Sequence, residues 1–436
     1  MLRTIFVLGL ILIGTYYSLQ GPFYALLFYL WNAYFRPEDW VWLASLQGAN
    51  LSFIIGVYLV LLILISRRKF ILNGRIFFIA LFLAQTLLST LLSLQYEYSW
   101  PYWKEFAKLN IIAYIMLILV DDFSKFRLVL LVIALSLGVE QAKEGWLYLV
   151  TSPGGPNRNQ LPFFGDNNGV ALGMLMLVPI LSLLSQTTRK QWRRSLYWLL
   201  LIGVFYRALS TYSRGGFLAS CFLGSIYWLQ SAQKIRSLLV LLAMLIVIVP
   251  NLPDSFWARM HTINTYEEEQ DESALGRLHF WRVALLMAQS HPILGVGFNA
   301  YNAAYDEYDF LQGRYGYRRS VHSSFFGVLA ELGYIGLALF IIILFSTFHS
   351  FHRTSKVVQY HPELSHFQSA AASLRMSLLV FLIGGSFVPS QYQEMLWHYI
   401  FLSFVLEDLA VQATREASQS SCVNSIQALP DTDETP

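Results

Sequence analysis

Between Asn251 and Ser324 the chain contains Ser273-Ala274-Leu275-Gly276-Arg277, then Phe280-Trp281, then His291-Pro292-Ile293-Leu294-Gly295-Val296-Gly297, and it closes on Val321-His322-Ser323-Ser324. This long polar segment interrupts a chain otherwise made of apolar runs. A fresh apolar run begins directly after His322. An arginine and a histidine therefore stand at one edge of the layer that the apolar runs fill.

Composition identifies that layer. The 436 residues are 56% hydrophobic and only 13% charged, against about 25% charged in a soluble domain, so a membrane protein is expected. The net charge of +3 gives no reason to expect a nucleic-acid partner. Cys221 and Cys422 lie far apart and form neither a disulfide framework nor a metal-ligand spacing. The start, Met1-Leu2-Arg3-Thr4 and an apolar run, looks like a signal peptide. No small-residue cleavage site follows and further apolar runs do, so an uncleaved first span is expected.

Runs of spanning length lie near 4–20, 48–66, 76–95, 106–120, 128–149, 168–185, 195–209, 214–229, 236–250, 323–347, 372–388 and 393–408. The fold class expected is an all-α polytopic membrane protein of about 12 transmembrane helices. Residues 22–35 are apolar too, but Gly21-Pro22 breaks the first run. They read as a separate short span, a kinked continuation or a re-entrant piece. The parts are an N-terminal bundle over 1–250, a large outer loop over 251–322 with short amphipathic helices, C-terminal spans over 323–408, and a polar, disordered tail over 409–436.

Basic residues set the orientation. Arg67-Arg68-Lys69 with Arg75, Lys125 with Arg127, Arg189-Lys190-Arg193-Arg194, Lys234 with Arg236, and Arg353 with Lys356 fall in alternate loops. All five, with the tail, are expected in the cytoplasm. Loops 96–105, 150–167, 210–213, 251–322 and 389–392 then face outward. Trp31, Trp40, Trp42, Trp100 and Trp103 form an aromatic belt near span ends.

Several outward polar residues carry chemical potential. Arg214, in Ser210-Thr211-Tyr212-Ser213-Arg214-Gly215-Gly216, runs against the positive-inside bias. Its glycines would let a ligand or helix approach closely; an arginine snorkelling to head groups is the plain alternative. Arg277 opens an expected amphipathic helix capped near Asp271-Glu272-Ser273, with Leu275, Leu278, Trp281, Ala284 and Leu285 at helical spacing and Pro292 as its stop. Such a helix could lie on the membrane surface. Arg277 and Trp281, four apart, share a face. His322 precedes a span. Glu140, Lys143 and Glu144 form a polar group at the outer end of a span, where Glu140 and Lys143 could simply pair. Asp166-Asn167-Asn168, at another span mouth, reads as a pocket wall or a helix cap. The acidic run Glu267–Glu272 matches no calcium loop and reads as solvated. Zinc, P-loop, nucleophile-elbow and dinucleotide signatures are lacking too, so no metal or cofactor is expected.

Ser213-Arg214-Gly215-Gly216, Gly276-Arg277 with Trp281, the His291–Gly297 stretch, and His322-Ser323 followed by Leu329-Ala330-Glu331-Leu332-Gly333 together resemble the O-antigen ligase and polymerase superfamily. The resemblance is closest to its exosortase-A-associated O-glycosylation ligases, which also show segments like Ser136-Leu137-Gly138 with Lys143, Gly165-Asp166-Asn167-Asn168, and Trp31 to Trp40 with Arg36-Pro37. It covers roughly residues 20–400. One departure is Ser323, where many members have asparagine after the histidine. The resemblance implies an inverting, metal-independent, membrane-embedded glycosyltransferase of the bacterial inner membrane, working on its periplasmic face. Its donor would be a glycan on undecaprenyl diphosphate; its acceptor would be a glycan, lipid or protein hydroxyl. It implies catalytic roles for Arg214, Arg277 and His322. The substrate-binding set expected is Arg214, Arg277, Lys143, Asp166, Asn167 and Trp281.

The chemistry suits these residue types. A departing diphosphate gathers charge that fixed cations can stabilise, and arginine grips phosphate oxygens through paired hydrogen bonds. A hydroxyl acceptor benefits from a base, which a neutral histidine supplies. A ligase is the leading reading and a polymerase of the same fold the second. A transporter or flippase would call for inverted repeats and broken midplane helices, and the sequence shows no such symmetry.

Overall fold

The computed structural model describes residues 2–40, 50–153 without 67, 69, 70 and 94, then 155, 164–230, a few positions between 233 and 246, and 272–427. Most of the expected span at 236–250, most of the acidic run, Trp42 and residues 251–271 of the outer loop fall outside the described residues.

Among the described residues the chain is helical: α1 (Leu2–Ser18), α2 (Pro22–Phe35), α3 (Leu51–Ile65), α4 (Gly74–Leu91), α5 (Tyr96–Leu119), α6 (Phe123–Thr151), α7 (Asn167–Gln186), α8 (Gln191–Leu209), α9 (Arg214–Gln230), α10 (Glu272–Ser290), α11 (Tyr301–Tyr308), α12 (Ser324–Val358), α13 (Ser365–Gly384) and α14 (Glu394–Gln427). Among the described residues, four candidate spans, Gly74–Leu91, Asn167–Gln186, Ser324–Val358 and Pro362–Gly384, are long and apolar enough to cross a membrane. Residues 22–35 form their own helix, because Gly21 turns the chain at φ 152° and Pro22 sits where a missing N–H costs nothing.

The centre is α7. It is apolar all round, as a helix enclosed on every side must be, and nearly all of its side chains are buried. It packs against α6, α8, α9 and α13, while α12 packs against α4, α10, α13 and α14. The ends bearing basic loops meet one another: Arg75 donates to Glu407 at 2.6 Å, Arg353 approaches Glu407 at 3.2 Å, and Arg127 donates to Thr187 at 3.1 Å. The opposite ends meet around Asp166, Ser213 and Ser324.

Two local outcomes differ from the sequence reading. Residues 409–427, read as disordered tail, continue α14 as helix; Ala410, Ala413 and Ala417 favour it, and Gln412 donates to Glu416 at 2.9 Å. In α10 the buried stripe is only in part the expected Leu275-Leu278-Trp281-Ala284-Leu285: Ala284 is buried and Trp281 packs on the same core. Leu278 and Leu285 are 44% and 38% exposed, while Phe280, Val283, Ala284 and Met287 are buried against Val296, Tyr301 and Tyr305. That stripe includes His279, a polar letter in the sequence. Its ring nitrogen lies 2.7 Å from the Asp309 carboxylate, which meets the polar demand of burial. The outer segment thus has a small core of its own, and its apolar face serves protein packing.

That core is clasped to the bundle through a break in α12. Gly333 takes φ 68°, ψ −170°, which interrupts the helix. The freed carbonyls of Ala330 and Glu331 accept from Val296 N–H at 2.9 Å and Gly297 N–H at 3.3 Å, and Tyr334 N–H donates to Pro292 at 2.8 Å. From α4, Gln85 donates to the carbonyls of Ile293 at 2.5 Å and Leu332 at 3.0 Å, and Ser89 to that of Glu331 at 2.8 Å. Gly295 is at φ 68°, and a Cβ there would lie 2.3 Å from the Glu331 carbonyl carbon. The two glycine-bearing stretches, His291–Gly297 and Leu329–Gly333, are two halves of one joint.

Candidate active site

Three helix starts converge beneath this joint, each capped by the residue type that helix N-termini favour. Asp166 accepts from Gly169 N–H at 2.8 Å, Ser213 from Gly216 N–H at 3.0 Å, and Ser323 from Phe326 N–H at 3.4 Å. Asn168 joins the first two: it donates to Asp166 at 2.9 Å and accepts from the Ser213 hydroxyl at 2.8 Å. A Cβ on Gly216 would stand 2.7 Å from that of Ala171, so the glycine pair beside Arg214 does permit the close helix approach that its sequence suggests.

Aromatic rings link these starts to α10. A Cβ on Gly215, next to Arg214, would meet the Phe387 side chain at 3.2 Å. The Phe387 ring is 6.4 Å from that of Trp281, which stacks on Phe326 at 5.2 Å. Trp281 lies one turn from Arg277, and Phe326 four residues after His322. Arg214 opens α9, half-buried, and Arg277 is half-buried on α10.

His322 sits in the left-handed region at φ 48°, which costs a non-glycine residue on the order of 1–2 kcal/mol. Its ring lies 6.1 Å from Phe280. Burial pushes its pKa down, and Arg277 and Arg319 push it further, while Asp166 works the other way. The ring is thereby held neutral at ordinary pH. His322 Nδ1, Asn167 Oδ1 and Trp281 Nε1 are buried polar atoms with no hydrogen-bond partner. Native structures rarely leave such atoms unmatched, and here all three belong to one neighbourhood.

Residues 198–341 match the family model of the O-antigen ligases. Over that stretch the chain is similar to the O-antigen ligases. No curated protein matches it. The matched stretch contains Arg214, Arg277, Trp281, His322 and the α12 break; Lys143, Asp166 and Asn167 precede it. The match and the apolar helices point to a membrane protein similar to the O-antigen ligases.

The fold brings together Arg277, His322 and Asp166 electrostatically, and Arg214 and Trp281 through Phe387. Lys143 stands elsewhere: its amine lies 2.6 Å from Glu140 and 5.9 Å from the Trp40 ring, and no contact among the described residues joins it to Asp166 or Asn167. Arg319 is the residue that the sequence reading missed. Its guanidinium lies 5.5 Å from the Phe280 ring, whose neighbour is His322. It sits in an irregular loop where Arg318 is at φ 49°, so no periodicity flagged it. Among the described residues no three His, Cys, Asp or Glu side chains are placed to hold a metal ion.

Proposed function

We propose that the chain transfers a glycan from undecaprenyl diphosphate to an acceptor hydroxyl, at the periplasmic face of a bacterial inner membrane. The acceptor oxygen attacks the anomeric carbon and its proton passes to His322. The bond from that carbon to the phosphate oxygen breaks, and its electron pair leaves on the diphosphate. Inversion follows from single displacement. Arg214 and Arg277 take the diphosphate charge, and no metal is called for. Asn167 and Trp281 supply hydrogen bonds to the donor from opposite walls, and Asp166 positions Asn168 and Ser213. Loop 251–322 lies outside the cytoplasm and the basic loops inside.

The observation that carries this reading is His322: neutral, strained and unpartnered at Nδ1, within electrostatic reach of Arg277. A strained non-glycine residue with a buried orphan atom fits a pre-organised base better than a packing residue. The test is incubation of purified protein with lipid-linked glycan and candidate acceptors, with product analysis. A glycan on an acceptor not carried by undecaprenyl diphosphate supports ligation; a lengthened undecaprenyl-diphosphate-linked chain supports polymerisation. Neither product from wild-type protein, with a donor competent for another transferase, would overturn the reading.

A further inference from the structure

A second set of buried polar groups lies between α2, α5 and α14, and the proposed transfer makes no use of it. On α14, Glu394 and His398 are one turn apart and share a face. His398 is 1% exposed; its Nδ1 lies 2.8 Å from the Tyr34 hydroxyl, and its Nε2 has no partner. Glu394 Oε2, Glu38 Oε2 and the Tyr399 hydroxyl are buried and unpartnered as well. Glu394 acts electrostatically on Tyr34 and Tyr29, and Arg36 acts on Glu394, so these groups are one cluster. It reaches the surface through Arg36, Glu38 and Asp39, whose side chains are 28–41% exposed. Leading to that opening, Phe28, Trp31, Phe35 and Trp40 stack in a ladder with ring spacings of 5.7, 5.2 and 5.0 Å.

The charge balance selects the ligand. Glu38 and Asp39 outnumber Arg36, and Lys143, 5.9 Å from the Trp40 ring, is paired with Glu140 at 2.6 Å, so an anion such as the donor diphosphate is disfavoured. Carboxylates, an imidazole and phenols, beside flat aromatic faces, suit a neutral molecule with many hydroxyls, each able to donate and accept. The cluster is also close to the proposed base. Ser390 N–H donates to the Ser324 hydroxyl at 2.9 Å, two residues from His322, and four residues of chain reach at most about 14 Å from Ser390 to Glu394.

We propose that this cluster is a binding subsite for a neutral, hydroxyl-rich glycan. Its role as the acceptor side rests on the transfer reading above; the binding itself does not.

The experiment is binding of short neutral hexose and N-acetylhexosamine oligosaccharides, immobilised as an array, to full-length protein in detergent. Wild type should bind at least one glycan. Glu394→Gln and Glu38→Gln, each keeping the side-chain shape, should weaken that binding about tenfold or more, while Arg193→Ala, in the basic stretch at the start of α8 and away from both sites, binds as wild type. Thermal unfolding identifies a variant that fails to fold, and the other then decides. No glycan bound by wild type, or undiminished binding by a folded variant, overturns the subsite. If glycan binding holds but no transfer occurs with any donor, the transfer reading fails and the subsite stands.

Discussion

Gly333 and Pro292 meet backbone to backbone: a Cβ on Gly333 would lie 2.5 Å from the Pro292 carbonyl oxygen, which accepts from Tyr334 N–H at 2.8 Å. The break in α12 and the turn after α10 therefore exist together or not at all.

Gly295→Ala and Gly333→Ala should each open that joint. Both positions have φ 68°, where a side chain costs about 1–3 kcal/mol before its overlaps are counted. The expected result is a lower thermal midpoint, with faster proteolysis of the 291–322 segment than elsewhere. An unchanged midpoint in both variants would refute the joint.

His322 should set the acid limb of activity. Its pKa is lowered by burial, then by Arg277 and Arg319, and raised by Asp166. The base form is lost as pH falls through that lowered value. Arg319→Gln removes a cation and should move the limb to higher pH. Asp166→Asn removes an anion and should move it lower. The pH profile of kcat/KM measures both, and shifts in the same direction would refute the assignment.

The His279–Asp309 pair should stabilise the outer core. Burial pushes the Asp309 carboxyl up, but bonds from Gly313 N–H, Leu311 N–H and His279 hold it below its ordinary value. A carboxyl depressed on folding contributes stability that is present above its unfolded pKa of about 3.9 and lost as pH falls through the folded value. Asp309→Ala should cost on the order of 3 kcal/mol near neutrality, read as a lowered unfolding midpoint. The gap to wild type should narrow in acid. A constant gap would show that the charge is not what matters.

Legibility followed periodicity and caps. Asp166 was readable as a helix cap because a short polar side chain precedes an apolar run. Arg277 and Trp281 were readable as one face because they are four apart. The buried stripe of α10 was misread because His279 looks like a surface residue until Asp309, thirty positions on, is folded against it. Arg319 was invisible for a similar reason, since its position comes from a loop with no period. Gly333 sits inside an apolar run, where a helix break has no local signal beyond glycine itself. The glycine stretches were legible only as a family resemblance, and their geometry gives them a physical reason.

Transfer should survive chelation, since the proposed chemistry uses arginines where other transferases use a divalent ion. Loss with chelator and rescue by magnesium or manganese would move the charge-stabilising role to a metal.

The most direct measurement pairs lipid-linked donor binding with single-turnover transfer for wild type, Arg277→Lys and His322→Ala, each checked for folding. Arg277→Lys keeps the charge but loses the planar fork, so transfer should fall by on the order of 100-fold. His322→Ala should bind donor as wild type and transfer far more slowly, because a base acts only as the acceptor proton moves. Transfer by His322→Ala at the wild-type rate would contradict the account.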